Sequence, residues 1–191
     1  MNQETEIIRP GFTRVTSILE PYTDFSGIPA DVLANAARRG SKVHEYCESY
    51  ALNLLIEKPD EDCKSFVDSF KKWFDEYVEE VVGTEERLYD EDLMITGKYD
   101  LLVKLRDSPG ILLIDIKTPI QAQRSWGLQS AAYAMMLEKK GVKTQRRAAL
   151  MLDRAGGDPK LIEYTNHTRD GVLFLNLVEL HRYFYGSLMA S

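Results

Sequence analysis

The sequence predicts an α+β protein in which a mixed β-sheet is flanked by helices. Three observations lead there. Residues 29–82 carry apolar side chains at helical spacing, residues 85–118 hold three strand-like runs separated by turn residues, and from residue 123 the pattern runs helix, strand, strand, helix. With 191 residues and 44% hydrophobic content, the chain is long enough for one well-buried core and too short to expect two. A single domain over residues 1–191 is therefore expected.

Residues 10–28 are rich in Pro, Gly, Thr, Ser and Asp and read as an irregular entry segment with one turn at 15–19. Pro29 opens an alanine-rich helix over 30–38; Gly40 is expected to interrupt it, and Ser41 to cap a second helix reaching about residue 56. On that second helix His44, Cys47, Glu48, Ala51, Leu52 and Leu55 form one inward stripe, so His44 and Glu48 face the interior together. A third helix starts at Asp62, packs through Phe66, Phe70, Trp73, Phe74, Tyr77 and Val81, and is expected to end near Gly83. Strands follow at 85–89, 94–105 and 110–118, with turns at 90–92 and 107–110, and Pro119 stops the last. Residues 123–140, rich in Ala, Leu and Met, make a helix with Gly141 as its stop. Strands at 147–153 and 161–164 flank the Gly156-Gly157 turn, and a final helix runs from 170 to about 188. The segmentation is N-terminal helices over 29–82, a core over 85–153 and a C-terminal strand and helix over 159–191, with no repeat or low-complexity tract.

No stretch approaches the about 20 apolar residues of a membrane-spanning helix, and the N-terminus has no apolar signal core, so a cytoplasmic protein with no membrane partner is expected. Cys47 and Cys63 lie in neither a C-x-x-C nor a Cys-His cluster, which excludes a structural zinc site and a four-cysteine cluster and leaves two ordinary thiols. A net charge of −6 argues against bulk attraction to nucleic acid. The charge is uneven, however. Residues 57–92 hold 14 acids against 5 bases, and residues 121–154 hold 7 bases against 2 acids, so one side offers a face to a polyanion; solvated helix faces give the same pattern.

The apolar run from Ile111 to Ile114 is closed by Asp115, Ile116 and Lys117, and Gly97 and Asp100 lie one strand earlier. Acids and a lysine inside an apolar pattern are costly to desolvate unless a cation joins them. In 94–105 the even positions, Asp100 among them, share one side, while Ile95, Tyr99, Leu101, Val103 and Leu105 form an apolar side. Asp115 and Lys117 point together, and pairing through the 107–110 turn brings both carboxylates near one point. Two carboxylates with a histidine nitrogen suit Mg²⁺ or Mn²⁺. A metal so held polarises a phosphoryl oxygen and activates water, while Lys117 orients that water or stabilises developing charge, which is the chemistry of phosphodiester hydrolysis. Alone, D-x-K is equally the pattern of a surface ion pair at a strand end.

The wider pattern is more specific. Arg39, Gly40, Ser41, His44 and Glu48 spell R-G-[ST]-x-x-H-x-x-x-E, Gly97 and Asp100 spell G-x-x-D, Asp115 and Lys117 spell D-x-K, and Gln129 and Tyr133 spell Q-x-x-x-Y. In order and spacing over residues 38–135, these resemble the RecB-like nucleases of the PD-(D/E)XK superfamily, including phage-type exonucleases and the mitochondrial genome maintenance exonuclease family. The resemblance implies a restriction-endonuclease-like αβββαβ core. It implies His44, Asp100 and Asp115 as ligands of Mg²⁺ or Mn²⁺, with the Ile116 carbonyl a fourth, and Lys117 as the catalytic lysine. It also implies a glutamate from the first strand near the site, for which Glu86 is the candidate and Glu85 the alternative, and it places Gln129 and Tyr133 beside the site and the nucleic-acid backbone. Arg39, Arg124 and Arg147 are candidates for phosphate contact, the last two being otherwise solvated. Glu48 belongs either to the site or to a packing network, and Trp126 and Met135 read as core.

The chain departs from some relatives in lacking four cysteines and a G-x-x-x-x-G-K loop, so no iron–sulfur cluster and no nucleotide are expected. The resemblance then implies a stand-alone metal-dependent DNA exonuclease acting at single- or double-stranded ends, with recombination, repair or replication proteins as its company, in a bacterial or phage-infected cell. A structure-specific endonuclease of the same fold and a catalytically silent nucleic-acid-binding protein are the alternatives. Nothing in the sequence marks a subunit interface.

Overall fold

A computed structural model describes residues 8–23, 27–54, 58–119 and 121–186. A two-residue strand β1 (Thr13–Arg14) leads into a short helix α1 (Val15–Leu19) and a 3-10 turn (Glu20–Tyr22). Pro29 then starts α2 (Ala30–Ala51), which runs through Gly40 without the expected interruption. Ser41 caps nothing; its Oγ bonds back to the Ala37 carbonyl at 3.2 Å within the continuous helix. A helical glycine costs about 1 kcal/mol relative to alanine, which a 22-residue helix anchored by buried Val43 and Cys47 absorbs. The helix closes at Ala51, short of the expected end near residue 56, with the Leu52 N–H bonded to the Glu48 carbonyl; residues 55–56 and 188 themselves lie outside the described residues.

Helix α3 (Glu61–Tyr77) turns Phe66, Phe70 and Trp73 inward and stops before the expected Gly83. Val78, Val81 and Val82 are β-branched, and Val78–Thr84 forms β2, an edge strand that periodicity had merged into the helix. Next come β3 (Arg87–Asp90), β4 (Ile95–Lys98), β5 (Leu101–Leu105), β6 (Ser108–Lys117), α4 (Ser125–Lys139), β7 (Arg146–Met151), β8 (Lys160–Glu163) and α5 (His167–Tyr185). The large sheet has the order β2-β5-β6-β7-β8, with β6 and β7 parallel and its other neighbours antiparallel; a small sheet has the order β1-β4-β3. The mixed sheet between helical layers agrees with the expected fold class.

The strand expected over 94–105 is two strands in two sheets. It breaks at Tyr99–Asp100, and its partner breaks at the same level, at Glu85–Glu86 between β2 and β3. Backbone hydrogen bonds tie the two bends, from Glu85 N–H to the Asp100 carbonyl (3.0 Å) and from Tyr99 N–H to the Glu86 carbonyl (3.4 Å). The inside-outside alternation slips there. Ile95 and Tyr99 pack in the core beneath α4 and α5, while Leu101 and Val103 pack in the core beneath α2 and α3. Strand β6 is buried on both faces, with Leu112, Ile114 and Ile116 toward α2 and α3 and Leu113 toward α4. By the same alternation Asp115 and Lys117 emerge on the α4 side.

Arg147 is not the solvated residue that its basic neighbourhood suggested. It is 1% exposed on β7, with Nε donating to His167 Nδ1 (3.1 Å), Nη1 to the Gly127 carbonyl (2.9 Å) and Ser130 Oγ (3.1 Å), and Nη2 to Asp170 (2.8 Å). Its donors clamp α4 and α5 onto the sheet and face no external phosphate. Lys139 pairs with Asp90 and Asp92, Lys140 with Glu86, and Arg146 with Glu163. Much of the basic block is thus neutralised, in part by the acidic one, and the two do not form opposed surfaces. Replacing Arg147 by Met leaves Asp170 and the Gly127 and Tyr164 carbonyls without their cation and should lower stability by about 3–5 kcal/mol. Urea unfolding checks this, and a loss under about 1 kcal/mol would mean the clamp carries no weight.

Candidate active site

The bends in the two strands open a cleft of about 560 Å³. Its walls come from β1 and α1 (Arg14, Thr16), α2 (Ser41, His44), β4 (Thr96, Gly97, Lys98), the end of β6 (Asp115, Ile116, Lys117) and α4 (Gln129, Tyr133), with Asp100 at the strand break. Where β4 peels away from the large sheet, the Ile116 amide would lose its ladder partner. Asp100 Oδ2 accepts that amide at 2.6 Å, and Asp100 Oδ1 faces His44 Nδ1 at 3.2 Å. Glu85, held at φ 46° in the left-handed region, presents Oε1 3.7 Å from the same His44 nitrogen and pairs with Lys98 through its other oxygen.

A second group stands beside the first. Lys117 Nζ lies 2.6 Å from Asp115 Oδ2 and donates to Gln129 Oε1 at 3.0 Å. Gln129 Nε2 bonds Asp115 Oδ1 (3.3 Å) and the Tyr133 hydroxyl (3.0 Å), so residues four apart on α4 act as one bracket. The Lys117 ammonium also lies 5.5 Å from the centre of the Trp126 ring.

The charges shift one another. Burial alone would lower the His44 imidazole, but Asp100 and Glu85 outweigh it and push it up to about 10. Burial works to raise Asp100, yet His44, Lys117 and the Ile116 N–H hold it below the usual carboxylate range. Asp115 goes the other way. Burial, aided by Asp100 and opposed by Lys117, raises it to about 6. Glu48, hydrogen-bonded by Thr84 Oγ1 at 3.2 Å, is raised by burial and by Glu85. Burial also raises Cys47 and pushes Cys63 up to about 11, which leaves two unreactive thiols.

Two observations bear on whether a cation fits. His44, Glu85 and Asp100 offer a nitrogen and two carboxylate oxygens within 4.8 Å of one another. Asp115 is outside that compact group, but its buried Oδ2 accepts no hydrogen bond, because the Lys117 ammonium approaches off the hydrogen-bonding direction. An oxygen-rich set with one imidazole and a spare buried carboxylate oxygen fits a hard divalent cation.

The cleft gathers His44, Asp100, Asp115, Ile116, Lys117, Gln129 and Tyr133, all named from sequence. Ile116 contributes its amide to Asp100. Glu86 is elsewhere; adjacent residues at the bend point apart, and Glu86 turns to Lys140 and the Tyr99 hydroxyl while Glu85 faces His44. Arg39 is half-buried with its guanidinium 5.5 Å from the Phe66 ring on α3 and does not line the cleft, whereas Arg124 is exposed at the start of α4. Lys98 was missed, although it shares the even side with Asp100. The cleft also explains Gly97: a Cβ there would stand 2.3 Å from the Tyr133 ring.

The family model of the PD-(D/E)XK nuclease superfamily matches residues 20–172, and the chain belongs to this superfamily. Among solved structures, a Eubacterium rectale protein provisionally described as an exonuclease superposes with a TM-score of 0.54 at 12% identity, covering 91% of this chain and 79% of its own. Another, SSO0001, covers 92% of this chain and 79% of its own at 15% identity, with a TM-score of 0.44. No curated protein sequence matches the chain. The superfamily uses divalent metals and acts on DNA.

With His44 titrating near 10 in the metal-free protein, it carries a proton at pH 7.5, whereas a ligating imidazole is neutral. Metal uptake at pH 7.5 should therefore release about one proton and weaken about tenfold per unit as pH falls. Calorimetry in two buffers of different ionisation enthalpy reads the proton, and His44→Gln should release none. Gly97→Ala should cost about 1–3 kcal/mol by displacing the Tyr133 ring, seen as a lowered melting temperature.

Proposed function

We propose that this chain is a Mg²⁺- or Mn²⁺-dependent DNA exonuclease of the RecB-like, phage-type kind, acting at DNA ends in recombination, repair or replication. One observation carries the reading. The Asp115–Lys117–Gln129 group stands beside His44 and Asp100 in one cleft, with Glu85 3.7 Å from the His44 nitrogen, which joins a set suited to a cation to a half-buried ammonium. His44, Glu85, Asp100 and Asp115, with the Ile116 carbonyl, would hold the divalent cation, which supplies Lewis-acid polarisation of a phosphoryl oxygen and acidifies bound water.

The chain's own part is to place charge. Gln129 and Asp115 fix Lys117, whose ammonium stabilises negative charge developing on the phosphoryl oxygens. Tyr133 fixes Gln129 from one turn along α4. Walls from the N-terminal segment, α2, β4, β6 and α4 all contribute to the cleft.

End-labelled linear DNA and covalently closed circles, incubated with Mg²⁺, Mn²⁺ or EDTA, test this. Linear DNA should be degraded with metal and spared in EDTA, and circles should survive; cut circles would make the enzyme an endonuclease, and salt-sensitive binding without products would make it a silent binder. Lys117→Ala and Asp115→Ala should each keep a cooperative unfolding transition and lose about 100- to 1,000-fold in rate. An Asp115→Ala protein cleaving at the parent rate would overturn the assignment.

A further inference from the structure

Lys117 is held from more sides than its ion pair. Its Nζ lies 2.6 Å from Asp115 Oδ2, donates to Gln129 Oε1 at 3.0 Å and stands over the Trp126 ring, 5.5 Å from the ring centre. Trp126, Gln129 and Tyr133 are spaced i, i+3 and i+7 on α4, so one face of the helix meets the lysine with a ring and an amide and steadies that amide with a phenol. Trp126 is 5% exposed. It is buried as a core residue is, but what it packs on is a charge.

Two further observations separate the indole from ordinary packing. The first is where it stands. Lys117 lines the catalytic cleft, whereas Trp126 lines an adjoining hollow of about 420 Å³, and Gln129 borders both. The indole therefore covers the ammonium on the side of the hollow, and a smaller side chain would open that side to water. The second is how it is fixed. Arg147 Nη1 donates to the carbonyl of the next residue, Gly127, and to Ser130 Oγ. A Cβ at Gly127 would stand 3.0 Å from the Tyr164 ring, so the bare glycine lets this turn lie against it. The Arg147 clamp thus sets the turn of α4 that carries both groups touching Lys117.

The chemistry of the contact suits such a role. A lysine has a long stem that must be confined to one rotamer at an entropic cost. An aromatic face attracts the ammonium through its quadrupole without engaging the N–H donors as a carboxylate or carbonyl would, which leaves them for oxygen. Loss of water strengthens that attraction, and the Lys117 side chain is only 15% exposed.

We propose that Trp126 is a positioning residue of the nuclease centre, its ring confining the Lys117 ammonium at the end of β6 while leaving N–H donors free for the phosphoryl oxygens. The proposal rests on the nuclease reading and adds to it a residue that acts through Lys117.

The test uses the full chain. Its two tryptophans, Trp73 and Trp126, give two fluorine resonances in protein labelled with 5-fluorotryptophan, and Trp126→Phe assigns them by deletion. In the metal-free protein, Lys117→Met, which keeps the stem and removes the charge, should move the Trp126 resonance and leave in place that of Trp73, which packs in the core beneath α2 and α3. With Mg²⁺ and end-labelled linear DNA, Trp126→Leu should lower kcat roughly tenfold while KM stays within about twofold. Trp126→Phe, which keeps an aromatic face, should recover to within about threefold of the parent. A Trp126 resonance that does not move, a loss confined to KM, or Leu and Phe variants that fall together in step with their melting temperatures would make Trp126 plain packing and overturn the proposal. Should Trp126→Leu not fold, the resonance and the Phe variant decide. If the parent cleaves and the Leu variant matches it, the positioning role alone falls; if the parent cleaves no DNA, the nuclease reading falls and takes this role with it.

Discussion

The hydrogen bond from the Ile116 amide to Asp100 is the constraint on which the site depends. A strand leaving a sheet strands the next amide of its neighbour in the interior, where an unmet N–H is expensive. A carboxylate at the divergence point solves that problem and creates another, since the acid is itself now buried. His44 from α2 takes up the charge on one side, and Lys117, the residue after the amide, takes it up on the other. The departure of β4 from the large sheet thus requires an acid at this point, and the acid in turn requires cations around it.

Charge compensation then divides the two aspartates. Asp100 has amide, imidazole and ammonium in its favour, whereas Asp115 has the Lys117 ammonium and one long bond from Gln129 against burial and a like charge nearby, so their affinities for a proton move apart. Groups driven in opposite directions within one cavity are the usual mark of functional chemistry. Structural cations behave otherwise. Arg147 is more deeply buried than Lys117, but every arm of its guanidinium meets a carbonyl, hydroxyl, imidazole or carboxylate, which is what a packing element looks like.

Much of this was legible in the sequence. The apolar run ending in Asp115 and Lys117, the helical placement of His44 and the four-residue spacing of Gln129 and Tyr133 each express one local periodicity, and local periodicity survives folding. What failed was non-local. Nothing in 94–105 announces that its first half pairs in a different sheet from its second, because both halves have good strand propensity; hence Glu86 was preferred to Glu85. Val78–Thr84 continued a helical stripe while holding three valines better suited to an edge strand. Gly40 looked like a break because propensity ignores the packing that holds α2 together, and Arg147 looked solvated because a charge pattern cannot say which bases meet acids brought in from α5.

The paired bend has one more consequence. Glu85 and Asp100 face each other where both strands bend, joined by one backbone bond, and a second ties Tyr99 to Glu86 beside them. A slip by one residue would turn both acids away from His44. Catalytic geometry and strand registration are therefore the same variable in this molecule, and a misregistered hairpin would be both unstable and inert, with no folded but chemically crippled state in between.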